Sequence, residues 1–351
     1  MRSHVVIGAI LLASCVRVAA ATPQEAAPGV TEMDAITVVG ERPGPRMWRL
    51  TNGTNTLWIL GTLSPLPEGM TWRSQEAEQV ITEADEILAP GYSRAEVGAG
   101  DTFKLIFLAP AALKAVKNPQ RKRLQDVLPD DLYDRWAVAR QKYFGRDTKL
   151  ERLRPMFASQ DLYWKATESA GLTRSDPVWG SVNTMANAHG VKITGTSISY
   201  PLNLDKAKSK AGVSSLAQSA VDDLACFRLT LDRLDSDIEI MKARAIAWAN
   251  GDLGVLRRIQ TENLVPACKG IAEASLSFQE RPDVTERLAE TWVGAAQSAL
   301  ERNKITFATL PLSEVLNPNG YISRLQSLGY VLHQPDEGED EDLQENVADR
   351  P

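Results

Sequence analysis

Four short apolar runs stop at a glycine or proline: Trp58-Ile59-Leu60 before Gly61, Glu86-Ile87-Leu88-Ala89 before Pro90, Val191–Thr194 before Gly195, and Lys304–Leu310 before Pro311. Strands this short bury their surface only when paired and covered. Helical stretches separate them, with apolar residues at spacings of three and four, as at Leu105, Leu108, Ala112 and Val116. Strand, loop, helix, strand predicts an α/β protein, a central β-sheet with strand-end glycine loops covered by helices. Loops leaving a strand end are common sites for reacting groups, because the strand holds them in place. The first such loop, in WILGTLSPLPEGM, offers Thr62 and Ser64.

Local signals place the rest. Asn52-Gly53 is a type I′ hairpin signal between Trp48–Leu50 and Thr56–Leu60. Arg73–Asp85 reads as a helix, and Asp176, Pro177 and Gly190 mark the N-cap, first turn and end of another. Ala217–Ile259 and Pro282–Arg302 are long helical stretches, and a short helix near Ile322–Ser327 precedes a last strand, Tyr330–His333. The expected α/β domain therefore spans 47–333, with largely helical insertions at about 101–175 and 203–300. Residues 22–46, rich in Ala, Pro and Gly, read as a linker whose Asp34–Pro43 segment contains a short β-prone run.

Both ends carry further signals. Arg2, the apolar run Val5–Leu12 and Ala19-Ala20-Ala21 form a signal peptide, residues 1–21. Leu12-Ala13-Ser14-Cys15 also fits a lipoprotein signal ending before Cys15, which would place a lipid anchor there. Either reading exports the chain from a bacterial cytoplasm, to the periplasm or beyond, or leaves it as a membrane-anchored lipoprotein. At the other end, 334–351 forms an acidic, disordered tail, with six acidic residues in seven positions from Asp336 to Asp342. It lacks the twelve-residue loop of a calcium site.

Composition narrows the partners. With 43% hydrophobic and 24% charged residues the chain can bury a full core. Loss of Arg2 and Arg17 with the leader moves the formal charge from −6 to −8, which leaves no basic footprint for nucleic acid. No apolar run approaches the roughly 20 residues of a membrane span. Cys226 and Cys268 then remain as an even pair, and an oxidising compartment would let them close a disulfide. Two buried free thiols are the other reading.

Chemistry is sparse. The chain has no Walker loop, nucleophile elbow or H-E-x-x-H zinc motif. Beyond the leader its histidines are His189 and His333, neither with a second ligand at metal spacing. Ser64 has no neighbouring base to activate it.

The blocks LWILGTLSPLP, EADEILAP, LERLRPMFAS, GVKITGTS, AWANGDLGVL and NKITFATLPLSEVLNPNGYISRLQSLGY, in this order, resemble the TraB/GumN family, whose relatives include the Tiki metalloproteases. The resemblance covers most of Trp48–Val331 and implies metal-site positions just after strand ends. The first is a G-x-x-H, where Gly61 is followed by Ser64 in the histidine slot. The next is a glutamate closing a strand, where Pro90 stands. A third is a glutamate beyond Gly195, where Ser197 stands, and the last is a second G-x-x-H, where Glu314 takes the histidine slot.

A divalent metal needs three or four donors, and two serines, a proline and one glutamate do not supply them. No cofactor is therefore expected. The resemblance implies an exported, catalytically degenerate metalloprotease scaffold that binds a protein or peptide partner or acts as an accessory. Two alternatives remain: a hydrolase using Ser64, Ser197 and Glu314 without metal, and a metallopeptidase with relocated ligands.

Overall fold

Met47–Asn52 (β1) and Asn55–Thr62 (β2) fold back on each other as a hairpin whose register pairs Asn52 with Asn55. The two turn residues are therefore Gly53 and Thr54, one position later than the Asn-Gly signal suggests. Gly53 has φ +61° and Thr54 is not among the positive-φ residues. That suits the turn type with glycine first, rather than type I′, which needs positive φ at both positions. The computed structural model describes residues 44–96, 98, 114, 116–173, 175–201, 220–260 and 283–335. The leader with Cys15, most of the linker, Leu105, Leu108, Ala112, Cys268 and the acidic run from Asp336 lie outside the described residues.

The main sheet has six strands. After β2 come Leu66–Pro67 (β3), Glu86–Leu88 (β4), Ser93–Glu96 (β5), Leu172–Thr173 (β6), Lys192–Thr194 (β7), Ile198–Pro201 (β8), Ile305–Pro311 (β9) and Val331–His333 (β10). The strand order is β10-β1-β2-β9-β4-β7. Strands β2, β9, β4 and β7 run parallel, while β1 is antiparallel to both of its neighbours. Two small ribbons, β3 with β6 and β5 with β8, stand apart from it. The expected βαβ unit is present, but β9, more than 200 residues downstream, is inserted between β2 and β4.

Parallel strands covered on both faces read as continuous apolar runs. Leu57, Ile59 and Leu60 of β2 and Phe307, Ala308 and Leu310 of β9 are all fully buried. Helices Gln75–Glu83 (α1), Pro177–His189 (α4) and Asp283–Arg302 (α7) supply the covering residues, among them Ile81, Val182, Trp292 and Ala296. The ends of α4 follow the sequence signals: Asp176 accepts a hydrogen bond from the Trp179 amide at 2.9 Å, Pro177 opens the helix, and Gly190 is left-handed.

A second hydrophobic core is helical. Asp130–Phe144 (α2) and Pro155–Ser169 (α3) bring Leu132, Trp136, Leu162 and Ala166 against the first half of Ala220–Ala249 (α5), which adds Phe227, Leu234, Ile238 and Met241. The second half of α5 leaves this core: Ala245, Ala247 and Trp248 belong to the sheet core. At 30 residues, α5 is a rod of roughly 45 Å serving both cores. The helical stretch 217–259 is broken at Gly251, and Leu253–Gln260 (α6) follows. One-turn Leu312–Val315 (α8) and Tyr321–Ser327 (α9) complete the helices among the described residues, and none is long and apolar enough to cross a membrane.

Candidate functional site

The four parallel strands all leave the sheet along one edge. In register, Thr62 of β2 lies beside Pro311 of β9, while Ala308 of β9 and Thr194 of β7 flank Leu88 of β4. Ser64, Glu314, Pro90 and Ser197 each follow one of these ends by two or three residues, so the four sequence-derived positions share this edge. They are not equivalent in depth. Ser64, Gly195 and Ser197 are exposed, whereas Pro90 and Glu314 are half-buried. The strands carrying Ser64 and Glu314 are neighbours, whereas those carrying Ser64 and Ser197 are three spacings apart, about 14 Å.

Specific bonds hold the edge in shape. Gly61 sits so close to its surroundings that an added Cβ would lie 2.9 Å from both the Trp48 ring and a Leu312 methyl. Its carbonyl accepts a hydrogen bond from the buried Trp248 indole at 2.7 Å. The Thr62 hydroxyl donates to the Leu310 carbonyl at 3.3 Å, tying the β2 end to β9. Across the edge, the Ala89 amide donates to the Thr194 carbonyl and the Thr196 hydroxyl to the Ala89 carbonyl, at 2.9 and 2.8 Å. The Trp72 and Trp248 rings, 5.9 Å apart, form an aromatic wall beside β2.

Glu314 is the ionisable member of the four. Burial pushes its carboxyl above the usual range, and the Arg324 guanidinium offsets this in part. Arg324 is itself occupied by a two-bond pair with Glu286, at 2.6 and 2.8 Å. The imidazoles lie elsewhere. His189 is exposed at the end of α4, and His333 meets the Thr51 hydroxyl at 3.2 Å on an outer strand, level with Arg49.

As a metal centre the edge has the wrong donors: two hydroxyls, a proline ring without a donor and one carboxylate. Among the described residues no group of three or more His, Cys, Asp or Glu side chains is gathered for a metal. Nor, among the described residues, does either serine have a base in a hydrogen bond with it. The edge offers two exposed hydroxyl groups, the half-buried Trp72 ring and one carboxylate whose proton affinity burial raises.

At the opposite end of the sheet lies a cluster that the sequence reading did not single out. Glu86, 4% exposed, accepts bonds from Lys192 at 2.9 Å, Arg302 at 3.0 Å, Asn303 at 2.9 Å and the Thr194 hydroxyl. Although burial acts to raise it, the Thr194, Lys192 and Asn303 bonds bring its pKa down to about 2. Next to it, Asp85 accepts from the amides of Lys304 and Ile305. Of the expected cysteine pair, Cys226 is buried on α5 and Cys268 lies outside the described residues.

An α/β protein with a candidate site along the leaving edge of its parallel strands is thus the class that the fold defines. The chain belongs to the TraB/PrgY/gumN family, whose model matches residues 46–334. No curated protein and no solved structure matches the chain.

Proposed function

We propose that this chain is a catalytically degenerate member of its family that uses the leaving edge of the sheet to bind a protein or peptide, or in an accessory role. One observation carries the reading. The backbone frame after four aligned strands is intact, held by the Gly61, Thr62 and Thr196 contacts, yet Ser64, Pro90, Ser197 and Glu314 stand where the family resemblance implies metal ligands. Export by the leader belongs to the same proposal, as does closure of Cys226 with Cys268 outside the cytoplasm.

The test is metal analysis of the purified mature protein beside a peptidase screen. A protein free of stoichiometric zinc, manganese or cobalt, and inert toward peptides, is the expected result. Stoichiometric metal with chelator-sensitive hydrolysis would overturn the reading in favour of relocated ligands. Hydrolysis without metal that Ser64→Ala abolishes would favour the serine-based alternative, which draws its support from the raised Glu314 carboxyl beside β2. The intact mass decides the processing. A chain beginning at Thr22 is expected, a lipid on Cys15 indicates the anchored form, and a mass two hydrogens light without reductant reports the disulfide.

A further inference from the structure

The two hydrophobic cores meet along α5 between Met241, which packs in the helical core, and Ala245, which packs in the sheet core. Arg244 occupies this seam. It lies one turn before Trp248, whose indole bonds the Gly61 carbonyl at the leaving end of β2. Residues four apart on a helix share a face, so Arg244 is carried on the side of α5 that meets this edge. Helix α5 also packs against β3, which follows Ser64 by two residues.

The guanidinium is half-buried, its Nε is enclosed, and that atom has no hydrogen-bond partner. Among the described residues no carboxylate pairs with it. Two other enclosed arginines have a carboxylate beside them, although Arg140 Nε likewise makes no hydrogen bond. Arg154 Nε is 2.7 Å from Asp223, and Arg140 Nε is 3.1 Å from Glu151. Burial alone acts on Arg244, pushing its pKa below the usual arginine value. A buried cation without a counter-charge is costly, and an unpaired guanidinium fork matches the two oxygens of a carboxylate or phosphate. The leaving edge of a parallel sheet is also where ligands are commonly received.

We propose that Arg244 is the anion-binding residue of this edge and receives a carboxylate or phosphate group of the ligand where α5 passes from the helical core to the sheet core. The inference rests on the edge being a binding site and names the class of ligand. Trp248, one turn further along the helix, is buried, but Trp72, half-buried with its ring 5.9 Å from that of Trp248, would contact the apolar part of that ligand.

The experiment titrates the mature protein with inorganic phosphate and, separately, with succinate, at ionic strength held constant with sodium chloride. Thermal unfolding and tryptophan fluorescence are read together. Saturable stabilisation beyond the chloride control is expected, and at a tenfold excess over the dissociation constant the folded-to-unfolded ratio rises about tenfold. The stronger of the two anions identifies the source as phosphate or carboxylate. Arg244→Met should weaken binding at least tenfold while leaving the ligand-free unfolding midpoint unchanged or higher, since it removes an uncompensated charge. Arg244→Lys should retain part of the affinity.

The proposal is overturned if neither anion acts beyond chloride, or if Arg244→Met binds as the wild type does. A marked drop in the ligand-free midpoint of Arg244→Met would also overturn it, by making the residue structural. Because the readout is anion binding, it fails or succeeds apart from the metal and peptidase assays.

Discussion

The two ends of the parallel strands are built on opposite electrostatic terms. At the entering end Glu86 is enclosed by four donors and held ionised. At the leaving end Glu314 is half-buried, without such a cage, and is pushed toward its neutral form. Both are glutamates adjoining the same sheet. One is part of what holds the strands together, and the other is tolerated by the fold rather than required by it. Ionic stabilisation is thus concentrated at the entering end, whereas the leaving end is held by Gly61 packing and by bonds to backbone carbonyls, which leaves its exposed side chains free to vary.

Breaking the entering end should have the largest effect. Glu86→Ala would strand Lys192, Arg302 and Asn303 and is expected to cost about 3 kcal/mol in urea unfolding at neutral pH and low salt. Acid gives the sign. The folded pKa of about 2 lies below the ordinary 4.5 of the unfolded chain. The contribution is therefore present above pH 4.5 and disappears as pH falls toward 2, and Glu86→Gln should lack that component of the acid loss. Gly61→Ala comes next, at about 2 kcal/mol, because the new methyl meets Trp48 and Leu312 within 2.9 Å.

For the ionisable group of the leaving end the sign reverses. Glu314 binds its proton more tightly in the folded protein than in the unfolded chain. Its unfavourable effect is absent below the unfolded value and grows as pH rises through the folded one. Glu314→Gln should therefore raise the unfolding midpoint slightly at pH 7, by under about 1 kcal/mol, and leave it unchanged near pH 3. Ser64→Ala and Ser197→Ala are expected to stay within about 0.5 kcal/mol of wild type, since both side chains are exposed. A large destabilisation from either serine would erase the contrast between the ends.

Local features were the legible ones. Asp176, Pro177 and Gly190 mark their helix because caps and turns act within a few residues. The strands at Gly61, Pro90, Gly195 and Pro311 were readable from apolar runs, whereas the four positions of the candidate edge came from the family resemblance. Their order was not readable, because β9 pairs with β2 and β4 across more than 200 residues and no local pattern records such pairing. The hairpin was seen but displaced by one residue, because Gly-Thr after Asn52 supplies an equally good turn. Glu86 opened a strand that was readable, but its role was not, because its partners arrive from residues 192–194 and 302–303. Arg244 gave no signal in a helix full of charges; only the switch from one core to the other along α5 exposes it.

That shared helix has a consequence for how the molecule divides. A helical insertion is ordinarily a module that can be trimmed or exchanged while the parent sheet survives. Here Phe227, Leu234, Ile238 and Met241 would be stripped of cover along the rod that carries Trp248 to the β2 end. Removing the helices over 118–172 would thus disturb the sheet through its own supporting beam, so the chain should melt as one piece and resist dissection.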